Sequence, residues 1–270
     1  MKPNIMPKKQ SVSTIRKLVS EGEKFTVLTA YDATFSHAVS SNGVEVILVG
    51  DSLGMVCQGR DSTLPVTVDE MVYHTDAVAR GNQGSLIMAD LPFNSYGNVM
   101  QTLENSGKLM QAGAHMVKLE GGAWLCDAVK ALSQAGIPTC LHLGLTPQSV
   151  NKFGGYKVQG RNEDAAQAMI EDAKALVDAG ADFILLECVP ADLAKALTEA
   201  VDAPVIGIGA GKDTDGQVLV IYDMLGLNPH KLAKFVKNYM ASDNTWQNAI
   251  QTYVDDVKQG RFPAPEHSFE

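Results

Sequence analysis

Three short apolar runs in this chain end on a carboxylate: Val46 to Asp51, Leu86 to Asp90 and Met116 to Glu120; a fourth, Phe183 to Glu187, follows later. Runs of this length, rich in Val, Ile and Leu, read as buried parallel strands. A parallel sheet gathers its strand C-termini on one face, so Asp51, Asp90, Glu120 and Glu187 would converge at one rim. Carboxylates crowded at an apolar rim repel one another and shift toward the neutral form, and a bound cation is the simplest compensation. Hard oxygen donors suit Mg2+, which takes one or two carboxylates and fills its shell with water and substrate oxygens. Asp51 and Asp90 are the candidate ligands, with Glu120 acting through a water.

The neighbours of these acids extend the chemistry. Lys118 and Glu120 are two apart on one strand and so share a face; the lysine could pair with a substrate carboxylate or a developing enolate oxygen. Glu187 follows four apolar residues and precedes Cys188-Val189-Pro190, a setting that desolvates its carboxylate and makes it the candidate proton acceptor. His142, near the end of another apolar run, is either a substrate hydrogen-bond donor or a satisfied core histidine. Gly207 to Gly211 reads as a phosphate loop or as close backbone packing. Phe153 to Arg161, with paired glycines and basic residues, reads as a lid able to close over an anion, or as a plain surface loop.

The elements that must position these groups recur along the chain. Strands are expected near Phe25 to Thr29, Glu45 to Gly50, Ser85 to Asp90, Met116 to Glu120, Ile137 to His142, Asp182 to Glu187, Pro204 to Ile208 and Val218 to Tyr222. Amphipathic stretches lie between them, such as Asp164 to Ala179 with Gly180 as its stop. Gly113, Gly136 and Gly180 each precede a strand by a few residues, the short connection of βα units. Eight such units without a doubly wound glycine fingerprint predict one (β/α)8 barrel domain over residues 1–270. A helix over about 11–21, with Ser13 as its cap, is expected to cover the barrel bottom. A helical extension over about 226–270 is expected to hold Pro229 to Met240 and Thr245 to Gln259, against the barrel or a second subunit. The tail from Phe262 to Glu270 has no regular pattern, and chain ends of this kind are often mobile.

Composition bounds the setting. The 270 residues are 45% hydrophobic with a formal net charge of −9, enough for a large core and without the basic footprint of a nucleic-acid or anionic-membrane binder. No apolar run approaches a membrane span and the first ten residues lack a signal core, so a cytoplasmic protein is expected. Cys57, Cys126, Cys140 and Cys188 are scattered without a CxxC pair, which predicts reduced thiols serving as core filler and argues against a disulfide framework or zinc site.

Several longer motifs, in order, carry a family likeness: Leu28 to Asp32, Val49 to Met55, Asp61 to Thr67, Ala89 to Phe93, Lys118 to Gly122, His142 to Gln148 and Gly207 to Gly211. Together they resemble ketopantoate hydroxymethyltransferases. The resemblance implies a barrel of the phosphoenolpyruvate/pyruvate superfamily, one Mg2+ per subunit, and 5,10-methylenetetrahydrofolate as the cosubstrate that donates one carbon to 3-methyl-2-oxobutanoate in pantothenate synthesis. It also implies a homo-oligomer, a decamer built from dimers. Carried over by position, Asp51, Asp90 and Glu120 match the metal site, Asp51, Ser52, Asp90 and Lys118 the keto-acid contacts, and Glu187 the base; His142 joins the substrate contacts from the reading above. Two positions depart from the family pattern, Asn94 where Met is expected and Leu141 where Gly is expected, and both could reshape the pocket wall. The rivals are another Mg2+-dependent enolate-forming lyase of that superfamily, many of which carry a Lys-x-Cys-Gly-His type loop absent here, and a non-catalytic metabolite-binding barrel.

Overall fold

The computed structural model describes residues 9–229, 231–241 and 244–270. Eight strands run β1 Phe25–Thr29, β2 Val46–Val49, β3 Leu86–Asp90, β4 Met116–Glu120, β5 Thr139–Gly144, β6 Phe183–Glu187, β7 Val205–Ile208 and β8 Gly216–Leu219. Each pairs in parallel with the next, and β8 closes on β1 through Phe25 opposite Gly216 and Val27 opposite Val218. The helices that connect or flank them are α1 Val12–Ser20, α2 Ala33–Ser41, α3 Leu53–Val56, α4 Val68–Gly81, α5 Val99–Gln111, α6 Cys126–Gln134, α7 Val150–Phe153, α8 Glu163–Asp178, α9 Ala191–Ala200, α10 Ile221–Met224 and α11 Trp246–Lys258. Among the described residues no helix is long and apolar enough to cross a membrane.

Alternation along the strands divides the apolar residues into two cores. Phe25 and Val27, Val46 and Leu48, Leu86 and Met88, Met116, Cys140, Phe183 and Leu185, Ile206 and Val218 fill the barrel interior. Their neighbours, among them Leu28, Ile47, Ile87, Val117, Leu141 and Ile184, pack outward under the helices. Ile15 of α1 belongs to the inner cluster and is fully buried, so α1 plugs the N-terminal mouth. The cap of α1 is Ser11, two residues before the expected Ser13; its Oγ accepts from Thr14 N while Thr14 Oγ1 accepts from Ser11 N.

The C-terminal helix α11 closes the side of β1. Tyr253 Oη lies 2.7 Å from Gln217 O and 3.0 Å from Val27 O, and Lys258 pairs with Glu45, whose Oε2 accepts from Thr26 N and Oγ1 at 2.9 and 2.6 Å.

Three expectations need correction. The predicted helix over Pro229 to Met240 is absent from the described residues, position 230 lying outside them; Ala233 to Val236 and the chain near Met240 form single turns instead. Its apolar residues serve different surfaces: Leu232 and Phe235 line the cavity above the barrel, while Tyr239 is buried against Tyr253 and Phe262. Asn238 Oδ1 also captures Met240 N, a local bond that competes with helix. The eighth strand begins at Gly216, two residues before the expected start, and the segment from Ile221 is helical; Gly216 and Gln217 carry no apolar signal, but Gln217 Nε2 is satisfied inside by Gly211 O and Thr214 Oγ1. The tail is packed: Phe262 is buried, Pro265–His267 form a 3-10 turn, and Phe269 O accepts from Ala191 N. Of the cysteines, all free, only Cys140 and Cys188 are buried; Cys57 is exposed and Cys126 half-buried.

Ile15→Ala is expected to lower stability by about 2–5 kcal/mol, the range for emptying a packed aliphatic site. Urea unfolding reads this as a lower midpoint at unchanged slope. A wild-type midpoint would show that α1 does not plug the barrel.

Candidate functional site

The alternation that builds the inner core also places the polar groups. Asp90 continues the column of Leu86 and Met88; Lys118 and Glu120 continue that of Met116; His142 follows Cys140 by two, and Glu187 follows Leu185 by two. The barrel interior is therefore apolar in its lower half and ionisable in its upper half. Asp51 lies just beyond β2. A cavity of about 630 Å3 opens above, floored by Asp51, Ser52, Asp90, Lys118, Glu120, His142 and Glu187, so every candidate site residue reaches one space.

The contacts are specific. Lys118 Nζ lies 2.8 Å from Asp90 Oδ1 and 3.8 Å from Glu120 Oε1, with all three side chains buried. Asp51 N donates to Asp90 Oδ2 at 3.1 Å, and Ser52 Oγ and Tyr31 Oη are 2.9 Å apart. His142 bridges two acids, its Nδ1 at 3.5 Å from Glu120 Oε1 and its Nε2 at 3.4 Å from Glu187 Oε2. Both ring nitrogens are buried, and each faces a carboxylate oxygen at the long end of hydrogen-bonding range.

Electrostatics separates the acids. Burial, and then the charges of Asp90 and Glu120, push Asp51 well above the usual carboxylate range. Burial acts against the charge of Glu120 too, but hydrogen bonding and charge from His142, with Lys118 and the Gln148 amide, hold it below its ordinary value. Burial pulls Lys118 down, yet Asp90, Glu120 and Asp51 outweigh it and keep the ammonium protonated. Burial lifts Glu187 to about 7 against the opposing pull of His142. Two carboxyl groups in one site are thus held in different protonation regimes, the pattern that assigns distinct acid and base roles.

Backbone conformation fixes Glu187. Cys188 takes a left-handed φ of 48°, uncommon outside glycine, and Leu145 N donates to Glu187 O at 2.8 Å. Gly144, at φ 88°, pairs with Glu187 in the sheet; a Cβ there would stand 2.3 Å from Glu187 O.

The charge balance bears on a metal. Four carboxyl groups face Lys118 and one imidazole, so a divalent cation fits both the oxygen donors and the excess negative charge. Among the described residues no three acid, His or Cys side chains form a ready-made cage. An ion there would complete its shell with water and substrate oxygens, as Mg2+ does.

Other expectations resolve differently. The loop after β5 arches over the cavity through Tyr156 and Val158, with Tyr156 Oη 3.7 Å from Met55 Sδ, whereas Lys157 does not line the cavity and Arg161 lines a separate groove. Gly207 to Gly211 is close packing: a Cβ at Gly209 would meet the rings of Phe235 and Phe269 at 3.0 and 3.1 Å. Neither departing residue touches the pocket wall. Asn94 is exposed at φ 57°, a conformation asparagine tolerates, and Leu141 packs outward in the helix-facing core. Sequence reasoning missed Gln148 and Tyr96 as partners of the acids and Tyr31 as the partner of Ser52; Gln148 and Tyr31 lie within the family-like motifs, but their spacing from the site residues gives no sign of contact.

Comparison with known proteins places this geometry in a family. The model of ketopantoate hydroxymethyltransferase matches residues 9–265. A 3-methyl-2-oxobutanoate hydroxymethyltransferase of Marinobacter nauticus is 62% identical, covering 96% of this chain and 98% of its own, and one of Hahella chejuensis is 61% identical at the same coverage. Among solved structures, a phosphonopyruvate hydrolase superposes with a TM-score of 0.63 at 13% identity, covering 81% of this chain and 84% of its own. A 2,3-dimethylmalate lyase of the PEP mutase/isocitrate lyase superfamily gives 0.59 at 16%, covering 82% and 84%. Those structural likenesses show the shared barrel, and the matches across nearly the whole length show more: the chain belongs to the ketopantoate hydroxymethyltransferase family.

Proposed function

We propose that this protein transfers a hydroxymethyl group from 5,10-methylenetetrahydrofolate to 3-methyl-2-oxobutanoate, giving 2-dehydropantoate and tetrahydrofolate, as a cytoplasmic enzyme with one Mg2+ per subunit. The observation that carries this reading is the pairing, in one cavity, of a desolvated Glu187 with an Asp51–Asp90–Lys118–Glu120 floor that is short of positive charge. Asp51 and Asp90 would hold the ion, with Glu120 through a water. Bound there, Mg2+ would polarise the ketone and acidify the adjacent C3 proton.

The protein's own groups supply the rest. Glu187 accepts the C3 proton, with a carboxyl basic enough to do so near neutrality. Lys118 keeps its ion pair with Asp90 and has further N–H donors for a substrate oxygen. Ser52 offers a hydroxyl to the keto acid, and His142 a ring nitrogen. The enolate carbon then forms a bond to the methylene carbon of the folate, whose two bonds to nitrogen break; one water provides the hydroxyl group, and its other proton together with the C3 proton taken by Glu187 goes to the two folate nitrogens. No protein nucleophile is needed. The lyase rival would share the acid floor, but the family relationship favours transfer, and a binding protein has no use for a base poised near 7.

Removing either ligand charge should weaken metal and keto acid together. Calorimetric titration of 3-methyl-2-oxobutanoate into Asp90→Asn is expected to show weak binding that Mg2+ no longer improves, and EDTA should abolish wild-type turnover until Mg2+ is returned. Unchanged, metal-dependent affinity in the variant would refute the ligand assignment.

The base is testable without folate. In D2O with Mg2+, the wild type should exchange the C3 proton, and Glu187→Gln should slow this by about 10²–10⁴-fold while retaining keto-acid binding. Because the carboxyl must be ionised, exchange should fall as pH drops below about 7; a bound divalent ion moves that limb to lower pH. The folded value lies above the ordinary 4.5, so burial of the charged form costs nothing in acid and its full amount above about 7. Glu187→Gln in EDTA should therefore melt above wild type at alkaline pH, with the gap closing toward acid. Wild-type exchange in the variant would move the base to His142.

We further infer a large homo-oligomer, the decamer built from dimers that the family likeness suggests. Light scattering should give a mass many times 28.9 kDa; a monomer at every concentration would count against it.

A further inference from the structure

Gln148 sits in the 3-10 turn Pro147–Ser149 after β5 and is 5% exposed. Its Nε2 donates to Asp51 Oδ2 at 2.8 Å and to Leu91 O at 3.0 Å. Its backbone N donates to Glu120 Oε2 at 3.0 Å. A single residue thus occupies one oxygen on each of two acids at the floor, which leaves Asp51 Oδ1 for another partner and turns Glu120 Oε1 toward Lys118 and His142. The side-chain amide also has a defined direction, because its Nε2 faces two acceptors while Oε1 accepts from Tyr96 Oη, a hydroxyl that also lies 3.3 Å from Glu120 O. Were the amide reversed, its oxygen would face the Asp51 carboxylate and the Leu91 carbonyl, two acceptor-to-acceptor contacts, and the Tyr96 hydroxyl would meet an NH2 group.

Tyr96 is itself held. It is 6% exposed, and its ring stacks on Trp124 with centroids 6.2 Å apart and planes at 18°. Burial, and then the nearby Glu120 charge, raise its phenol far from ionisation, so it remains a donor.

We propose that Gln148 is a positioning residue that sets the Asp51 and Glu120 carboxylates for the cation, and that Tyr96 locks the direction of its amide. Neither touches the reacting atoms. Gln148 fixes which oxygen of Asp51 is spent on the protein and which remains for the ion, and it turns Glu120 so that Oε1 faces Lys118 and His142, so the ion meets a preset site instead of paying to orient it. The proposal rests on the reading that Asp51 holds the metal.

The test is a double-mutant cycle on binding. Mg2+-dependent binding of 3-methyl-2-oxobutanoate is titrated by calorimetry for wild type, Gln148→Leu, Tyr96→Phe and the double variant, with urea midpoints confirming that each is folded. Losing hydrogen bonds to a carboxylate should weaken binding in Gln148→Leu by roughly 10- to 100-fold, and Tyr96→Phe, which keeps the shape and frees the amide, by roughly tenfold or less. In the Gln148→Leu background, Tyr96→Phe should change binding by less than about twofold, since the groups act in series. General loosening of the core would instead make the two losses add. A folded Gln148→Leu that binds within about twofold of wild type, or a Tyr96→Phe loss equal in both backgrounds, overturns the proposal. Should Gln148→Leu fail to fold, Tyr96→Phe carries the test, and wild-type binding in it overturns the amide lock. Absence of Mg2+-dependent binding in wild type would remove the metal reading and this inference together, an outcome distinct from the others.

Discussion

Four carboxyl groups and one lysine share the closed upper half of the barrel, and that imbalance of buried charge organises the site. Lys118 can neutralise one neighbour closely, and it does so at Asp90. The remainder must be met by hydrogen bonds, by protonation or by something bound. The acids divide accordingly: Glu120 is held ionised by Lys118, His142 and a backbone N–H; Asp51 is pushed toward protonation despite the Gln148 amide; Glu187 stands near neutrality behind His142.

The lower half makes this arrangement tolerable. Desolvated charge is costly wherever it lies, but the same columns that end in acids begin in Leu86, Met116 and Phe183, and α1 seals them with Ile15. The rigid apolar layer keeps strand register, and register alone decides which residues face inward. A slip of one residue would turn Asp90, Lys118 and Glu120 toward the helices. Pairing of Asp90 with Lys118 and of Glu120 with His142 across β3, β4 and β5 is thus set by packing far below the site.

This dependence explains what the sequence could and could not reveal. Strands buried on both faces have strong apolar runs, and the acids that end them are conspicuous, so the barrel and Asp51, Asp90, Glu120 and Glu187 were legible. Strand β8 opens on Gly216-Gln217, whose burial depends on partners elsewhere in the chain, and was misplaced. The stretch from Pro229 to Met240 has helical spacing, but tertiary contacts draw its apolar residues to separate surfaces. Periodicity reports that residues are buried and is silent on whether they share a partner. Gln148 and Tyr96 were hidden for another reason: hydrogen bonds between residues 52 apart leave no local pattern.

The cavity itself argues for a two-substrate reaction. At about 630 Å3 it falls in the range that holds drug-sized ligands, far more than a five-carbon keto acid needs. The excess space has a different character from the floor: Met55, Val56, Pro147, Tyr156, Val158, Leu232, Phe235 and Phe269 form apolar walls, with Asp223, Lys231 and Lys234 also lining it. A keto acid drawn to the charged floor leaves that upper volume open to water. Water there would quench a carbanion formed beside Glu187, because proton return competes with carbon bond formation. A second substrate with a flat, largely apolar body would fill the walls, displace all but the water that the transfer consumes, and set its one-carbon group above the nucleophilic carbon. The volume above the floor therefore leaves room for the second substrate of the proposed transfer beside a bound keto acid.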